Sequence, residues 1–434
     1  MKTTLNPQEL ETLSGPLHTA LAPFMRRFPG DAGERQPVHT VYGGAHLFKA
    51  DTARKLGEKA RQILDEQGVD PFTFGRAIGL EDAHAEIIWQ RVIEKLQREP
   101  VEDFRVDFED GYGNRSDEEE DRHAAIVAGE LATGMRDGTL PPFIGIRIKP
   151  FTQELMRRGL RTMDIVISTV LDATGGKLPG NFVVTLPKIQ LPEQVTLLCD
   201  VFDAMESRLG LAKGTLRLEF MIETTQSILS ARGESNLPLF LDAARGRAVA
   251  AHFGTYDYTA SCNITAAEQR MDHPSCDFAR HMMQVAYAGT GLWLSDGATN
   301  VLPIGDRDTI HRAWKLHVDH IRHSLVHAYY QGWDLHPAQL PTRYAAVYDF
   351  FLSGLKPATE RLRNFMEKAG QATLVGDVFD DAATGQGLLN YFIRGINSGA
   401  LTEEEALATG LTLDELRSRS FVKILAGRRE NVRT

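Results

Sequence analysis

Ionisable residues recur at the ends of short apolar runs along this 434-residue chain. Asp107, Glu109 and Asp110 close one run, Arg147 and Lys149 the next, and Lys188 a third. Glu223 follows Phe220-Met221-Ile222, Asp257 follows His252-Phe253-Gly254-Thr255-Tyr256, and Asp296 and His336 close the last two. Carboxylates without cysteine or histidine companions suit a hard divalent cation, Mg2+ or Mn2+, which takes oxygen ligands and leaves positions open for water or substrate. Glu223 and Asp257 are the expected metal pair, because each sits directly after an apolar run. Arg147 and Lys188 beside them would hold an anionic substrate, since a guanidinium fork matches a carboxylate bidentately. Glu109, Asp110 and His336 complete the expected substrate-binding set, together with Gly43 and Gly44, whose N–H groups could receive a carboxylate or phosphate. The same residues have plainer uses: a strand-end carboxylate also serves as a helix cap or ion-pair partner, and Gly-Gly also makes a tight turn. Glu219, four residues before Glu223 on one run, reads as a paired structural residue.

The elements that must position these residues follow a rhythm of β-rich run, turn and helix. The runs are 38–42, 104–108, 143–148, 182–186, 216–222, 248–253, 291–294 and 332–335, and most precede a plausible helix. Strands alternating with helices call for a parallel sheet, whose neighbours need crossovers. Eight units predict a (β/α)8 TIM barrel, with an open doubly wound sheet as the runner-up. In such a barrel the active site lies at the C-terminal strand ends, where the charges fall. The gap after the first run holds an inserted helical hairpin, roughly 71–98. Beyond Pro341 the strand signal stops, and 344–368, 386–398 and 403–424 read as helices. The expected division is a lead-in over 1–37, a barrel over 38–340 and a helical extension over 341–434 that contributes to or covers the site.

Composition removes other classes. A net charge of −10, from 48 Lys+Arg against 58 Asp+Glu, disfavours nucleic acid. No apolar run reaches the length of a membrane span, and residues 1–15 carry no apolar leader segment. Three cysteines without framework spacing, Cys199, Cys262 and Cys276, suit a reducing cytoplasm. Cys262, His273, Cys276 and His281 fit no usual zinc spacing. Ser116-x-x-Glu119 reads as a capping box, and His311, His317, His320, His323 and His327 as surface residues of one helix.

Several segments resemble the malate synthase and citrate lyase β-subunit group, which includes the HpcH/HpaI-type aldolases. Val106-Asp107-Phe108-Glu109-Asp110 resembles its strand-two signature, and Leu186-Pro187-Lys188 its strand-four signature. Met221-Ile222-Glu223-Thr224 resembles the segment with its metal-binding glutamate, and Phe253-Gly254-Thr255-Tyr256-Asp257-Tyr258 that with its metal-binding aspartate. Gly332 to Gln339 resembles the strand-eight His-Pro-x-Gln turn. Phe379-Asp380-Asp381-Ala382-Ala383-Thr384 is similar to a C-terminal malate synthase segment, which makes Asp381 the expected proton-abstracting base; an acidic helix cap is the plainer reading of it. The chain departs from the citrate lyase branch at Arg147-Ile148-Lys149, where that branch has Arg-x-Asn.

The resemblance implies a Mg2+- or Mn2+-dependent carbon–carbon lyase or synthase of aldol or Claisen type. It would act through a metal-bound enolate of a small 2-oxo acid or acyl thioester, with Arg147 and Asp381 catalytic. The expected partners are a small carboxylate substrate, with a CoA thioester as a further candidate, and other copies of the chain. The rival reading, a phosphoenolpyruvate- or pyruvate-binding phosphotransfer protein, needs a phosphocarrier histidine or an ATP-binding domain, and neither is legible. A catalytically dead binding barrel is disfavoured by the Glu223/Asp257 pair.

Overall fold

The computed structural model describes residues 3–31, 33–367, 373–375, 378–380, 382–418, 420 and 423–424. Eight parallel strands close a barrel in chain order: β1 (His39–Gly44), β2 (Asp103–Asp107), β3 (Phe143–Arg147), β4 (Phe182–Leu186), β5 (Arg217–Ile222), β6 (Ala248–Phe253), β7 (Trp293–Ala298) and β8 (Gln331–Asp334), with β8 bonded back to β1. The (β/α)8 architecture expected from the eight runs is therefore the fold. Around it stand α1 (Pro7–Arg27), α2 (Thr52–Ile63), α3 (Pro71–Ile78), α4 (Asp82–Arg98), α5 (Asp117–Asp137), α6 (Met156–Thr174), α7 (Pro192–Leu209), α8 (Thr225–Ile228), α9 (Leu237–Ala243), α10 (Thr255–Ser261), α11 (Pro274–Tyr287) and α12 (Arg307–Val326). After β8 come α13 (Leu340–Glu367), an antiparallel hairpin of β9 (Thr373–Val375) and β10 (Val378–Asp380), α14 (Ala382–Asn397), α15 (Glu403–Leu407) and α16 (Leu413–Ser418). None of the described helices is long and apolar enough to cross a membrane.

Local chemistry explains most boundaries. Asp70 starts α3 by accepting the N–H groups of Phe72 and Thr73, both at 2.9 Å, and α3 and α4 form the inserted hairpin between β1 and β2. Ser116 caps α5 through Glu119 N, but Glu119 turns to Arg115 instead of closing the expected box. Strand seven lies later than its predicted run. Gly289 and Gly291 hold positive φ (75° and 83°), which keeps that stretch in a turn. The polar Ser295-Asp296-Gly297 then completes β7 because Arg280 and Ser324 satisfy the buried Asp296. The β9–β10 hairpin is likewise a strand pair beyond Pro341, where helices alone were expected. His317 and His320 are buried, not surface, residues of α12. Throughout α1 no residue is buried, and Leu10, Leu13, Leu17, Leu21 and Phe24 are exposed on it.

Strand side chains alternate between the two faces. Outward positions such as Val106, Ile146, Val184, Phe220 and Phe253 join the main apolar core beneath the helices. A small separate cluster of Met221, Ala298, Trp333 and Tyr42 fills part of the barrel. The remaining interior is charged. Arg105 donates to both oxygens of Glu219, at 2.8 and 2.6 Å, and to Asp103, which also accepts from Thr40 at 2.8 Å. Outside this set, Asp334 receives His39 at 2.7 Å, His317 at 3.0 Å and the Arg343 fork at 2.9–3.2 Å, tying β8 to β1, α12 and α13.

Arg105→Met should cost about 3–5 kcal/mol, because it leaves Asp103 and Glu219 buried without a counter-charge. The exposed control Arg54→Met, which breaks only the surface pairs with Asp51 and Glu58, should leave the unfolding midpoint nearly unchanged, because exposed pairs are screened by solvent. Urea unfolding of both variants checks the contrast; equal midpoints would remove the interior ion set from the account of stability.

Candidate active site

The C-terminal strand ends bring together the residues singled out on five strands. Asp107 ends β2 and accepts Arg147 twice, Nε at 2.7 Å and Nη2 at 2.5 Å. It also accepts Glu109 N at 2.9 Å and Gly111 N at 2.7 Å, which bends the chain so that Glu109 turns back over the barrel. Arg147 lies 4.9 Å over the Tyr42 ring, and its remaining nitrogen, Nη1, is 3.1 Å from Glu109 Oε2. All three guanidinium nitrogens thus stand beside a carboxylate, Nε and Nη2 on Asp107 and Nη1 near Glu109.

Lys188 is the junction of the site. Its backbone N donates to Glu223 Oε1 at 2.8 Å. Its ammonium pairs with Glu109, lies 3.2 Å from Asp257 Oδ2 and 3.4 Å from Asp110 Oδ2. These contacts require a φ of 51° at Lys188, in the left-handed region a residue with a Cβ seldom adopts. Glu223 is buried after β5, Asp257 half-exposed in the first turn of α10. Gly254 leaves room for this carboxyl: a Cβ there would stand 2.5 Å from Glu223 Oε2. Five carboxylates, Asp107, Glu109, Asp110, Glu223 and Asp257, therefore gather around two cations, Arg147 and Lys188.

The imbalance shows in the acidities. Burial pushes Glu223 up to about 8, reinforced by Glu109 and Asp257 and opposed by Lys188. Burial also raises Glu109. At Asp107 burial acts the same way, but the charge and hydrogen bonds of Arg147 outweigh it and hold the carboxyl below its ordinary range. Burial disfavours the Lys188 ammonium too, yet Glu223 and Glu109 raise it above the usual lysine value. Below them, burial drives His252 down to about 4, so it is a neutral ring accepting from Trp333 Nε1 at 3.2 Å, with the Tyr42 hydroxyl 3.3 Å away.

Other residues singled out in the sequence make contacts within the protein. His336 Nδ1 accepts Ala338 N at 3.1 Å, and Gln339 Oε1 accepts Leu335 N and His336 N, so the His-Pro-x-Gln turn braces itself. Gly43 and Gly44 are explained by packing, against the Phe104 ring and the Gly111 carbonyl. Lys149 holds Phe108 O at 2.8 Å and Glu120 at 2.8 Å. Asp296 is turned away to Arg280 at 3.0 Å. Asp381 lies outside the described residues. Tyr42, the platform under Arg147, was missed; its signal was parity with Thr40 along β1. A cavity of about 870 Å3 opens at the opposite end of the barrel, lined by Phe143, Arg217 and Trp293 among others. Its inner wall includes the paired Arg105, Glu219 and Asp103, so the unmatched charge lies at the other end.

A family model described as "Domain of unknown function (DUF6986)" matches residues 17–424. No curated protein matches the chain in sequence. Among solved structures, a citrate lyase from Burkholderia xenovorans LB400 is similar with a TM-score of 0.58 and 19% identity, over 87% of this chain and 97% of that one. That likeness is one of fold. A Haloferax volcanii malate synthase in a magnesium/glyoxylate complex aligns at a TM-score of 0.47 and 15% identity, over 88% and 97% of the two chains.

A carboxyl that stays protonated to about pH 8 in the fold, against an ordinary value of 4.5, makes the folded state the better proton binder between them. Stability of the metal-free protein should therefore fall as pH rises from about 5 to 8, by up to about 1.4 kcal/mol per pH unit, and Glu223→Gln should flatten that slope. Urea midpoints in EDTA across this range measure it; an equal slope in the variant would show that Glu223 is ionised throughout.

Proposed function

The chain belongs to the family described as a domain of unknown function, DUF6986, and we propose that it is a metal-dependent carbon–carbon lyase or synthase. Its substrate would be a small 2-oxo acid or acyl thioester that reacts through an enolate. The observation that carries this reading is the five carboxylates against two cations at the catalytic end of a (β/α)8 barrel. A buried, partly protonated Glu223 beside Asp257, with oxygen donors alone, fits Mg2+ or Mn2+. Glu223 and Asp257 would hold the ion. When bound, it supplies positive charge that lowers the cost of an enolate oxygen.

The protein's own groups do the rest. Asp107 and the Tyr42 ring fix the Arg147 plane, so Nη1, which stands beside Glu109, would be the directed donor to a carboxylate or enolate oxygen. Lys188 offers an ammonium to the same anion, kept charged by Glu109 and Glu223. His252, neutral, and Trp333 close the floor without adding charge. The proton would be removed by Asp381, on the strength of the Asp-Asp-Ala-Ala-Thr match. The citrate lyase whose fold this chain shares carries a name from the same reaction class.

The test is exchange of the enolisable protons of pyruvate, oxaloacetate and acetyl-CoA in deuterated water, followed by NMR with and without Mg2+. Wild type should exchange one of them only with the ion, and Glu223→Gln and Asp257→Asn should abolish exchange. Arg147→Lys, which loses the planar fork, should slow it about 100-fold. Asp381→Asn should keep Mg2+ affinity and lose exchange. Exchange that survives EDTA unchanged would overturn the metal-dependent reading, and exchange unchanged in Asp381→Asn would return that residue to a helix cap.

A further inference from the structure

Two pairs of residues four apart face each other on the outer wall of the barrel. Asp277 and His281 lie on α11, His323 in the last turn of α12 and His327 at the C-cap of that helix. Spacing of four puts each pair on one helix face. Asp277 Oδ1 is 2.8 Å from His323 Nε2, the His323 and His327 rings are 4.5 Å apart, and the His281 ring is 5.5 Å from that of His327. One ligand atom each from Asp277, His323 and His327 lies within 4.8 Å of the others. Donors about a tetrahedral ion stand roughly 3.4 Å apart, so small side-chain rotations close the set.

The surroundings are arranged as they are around metal ligands. His327 Nδ1 donates to the His323 carbonyl at 2.8 Å, which leaves Nε2 as the free donor atom. The buried Arg280 grips Asp277 and is anchored on Asp296 at 3.0 Å, so the carboxylate is oriented from behind. Arg280 Nη2 also lies 3.2 Å from His323 Nε2, a positive charge near a ligand atom. Asp277 and Asp296 together outweigh it by one negative charge. All three ligand residues are partly exposed, so an ion can reach them. None takes part in the mouth cluster.

We propose that Asp277, His323 and His327 bind one first-row divalent ion, with the fourth position open to water beside His281. Two imidazoles and a carboxylate select Zn2+, Co2+, Ni2+ or Cu2+ over Mg2+. The ion pins α11 to α12, the two helices that enclose the Asp296 ion pair of β7.

The experiment titrates tag-free, metal-stripped protein with Zn2+ by calorimetry, and with Co2+ by visible absorption. Wild type should bind one Zn2+ at low micromolar concentration at this site and give a tetrahedral Co2+ spectrum. His323→Gln and His327→Gln should each weaken that binding at least the roughly 10–100-fold that even an outer partner of a ligand is worth. Glu223→Gln should leave it intact, which separates this site from the mouth. Circular dichroism of the variants confirms that they are folded, as expected for glutamine at partly exposed positions. Absence of Zn2+ uptake by wild type, affinity unchanged in both histidine variants, or loss of the Co2+ spectrum in Glu223→Gln alone would each overturn the proposal.

Discussion

A charge inside a barrel must be matched there, because water cannot do it. This constraint orders the molecule from its floor to its mouth. At the lower level Arg105 is paired with Glu219 and Asp103, and threonine hydroxyls complete the carboxylates. One level up, Arg147 is paired with Asp107 in the same bidentate manner. At the rim the matching stops: Glu109, Asp110, Glu223 and Asp257 share Lys188 and one edge of Arg147. The surplus falls at the rim, where Asp110 and Asp257 are open to solvent.

The same demand closes the cylinder. β1 and β8 meet where the first and last strands of the barrel must find each other, and the buried Asp334 collects donors from β1, α12 and α13 at that seam. An ion set replaces much of the apolar packing usual inside such barrels, while the aliphatic core stays between strands and helices. This division explains why strands read as apolar runs interrupted by single charged residues.

Those interruptions decide what was legible. Strands with a clean apolar outer face, such as those of Val106, Ile146 and Val184, announced themselves, and their alternation with helices pointed to the barrel. Ser295-Asp296-Gly297 has no such face, and its counter-charge comes from Arg280 on a separate helix, so strand seven was placed early. Glu223, Asp257 and Lys188 were legible as charges at the strand ends because each follows an apolar run. The capture of Arg147 by Asp107 was not, since the two are adjacent only through strand pairing. His317 and His320 read as surface residues because their partners, Asp334 and Thr299, lie on other elements.

Lys188 joins fold and chemistry most directly. A lysine in the left-handed region costs on the order of 1–2 kcal/mol, which glycine would avoid. Glycine would keep the N–H donated to Glu223 but lose the ammonium between Glu109 and Asp257. Asparagine tolerates the backbone but carries no charge. Only a long cation at that backbone setting ties β4 to the carboxylates that follow β2, β5 and β6 in one step. Strain retained at such a junction is outweighed by the contacts it permits, since one ammonium there restrains Glu109 and Asp257 while the backbone N–H holds Glu223.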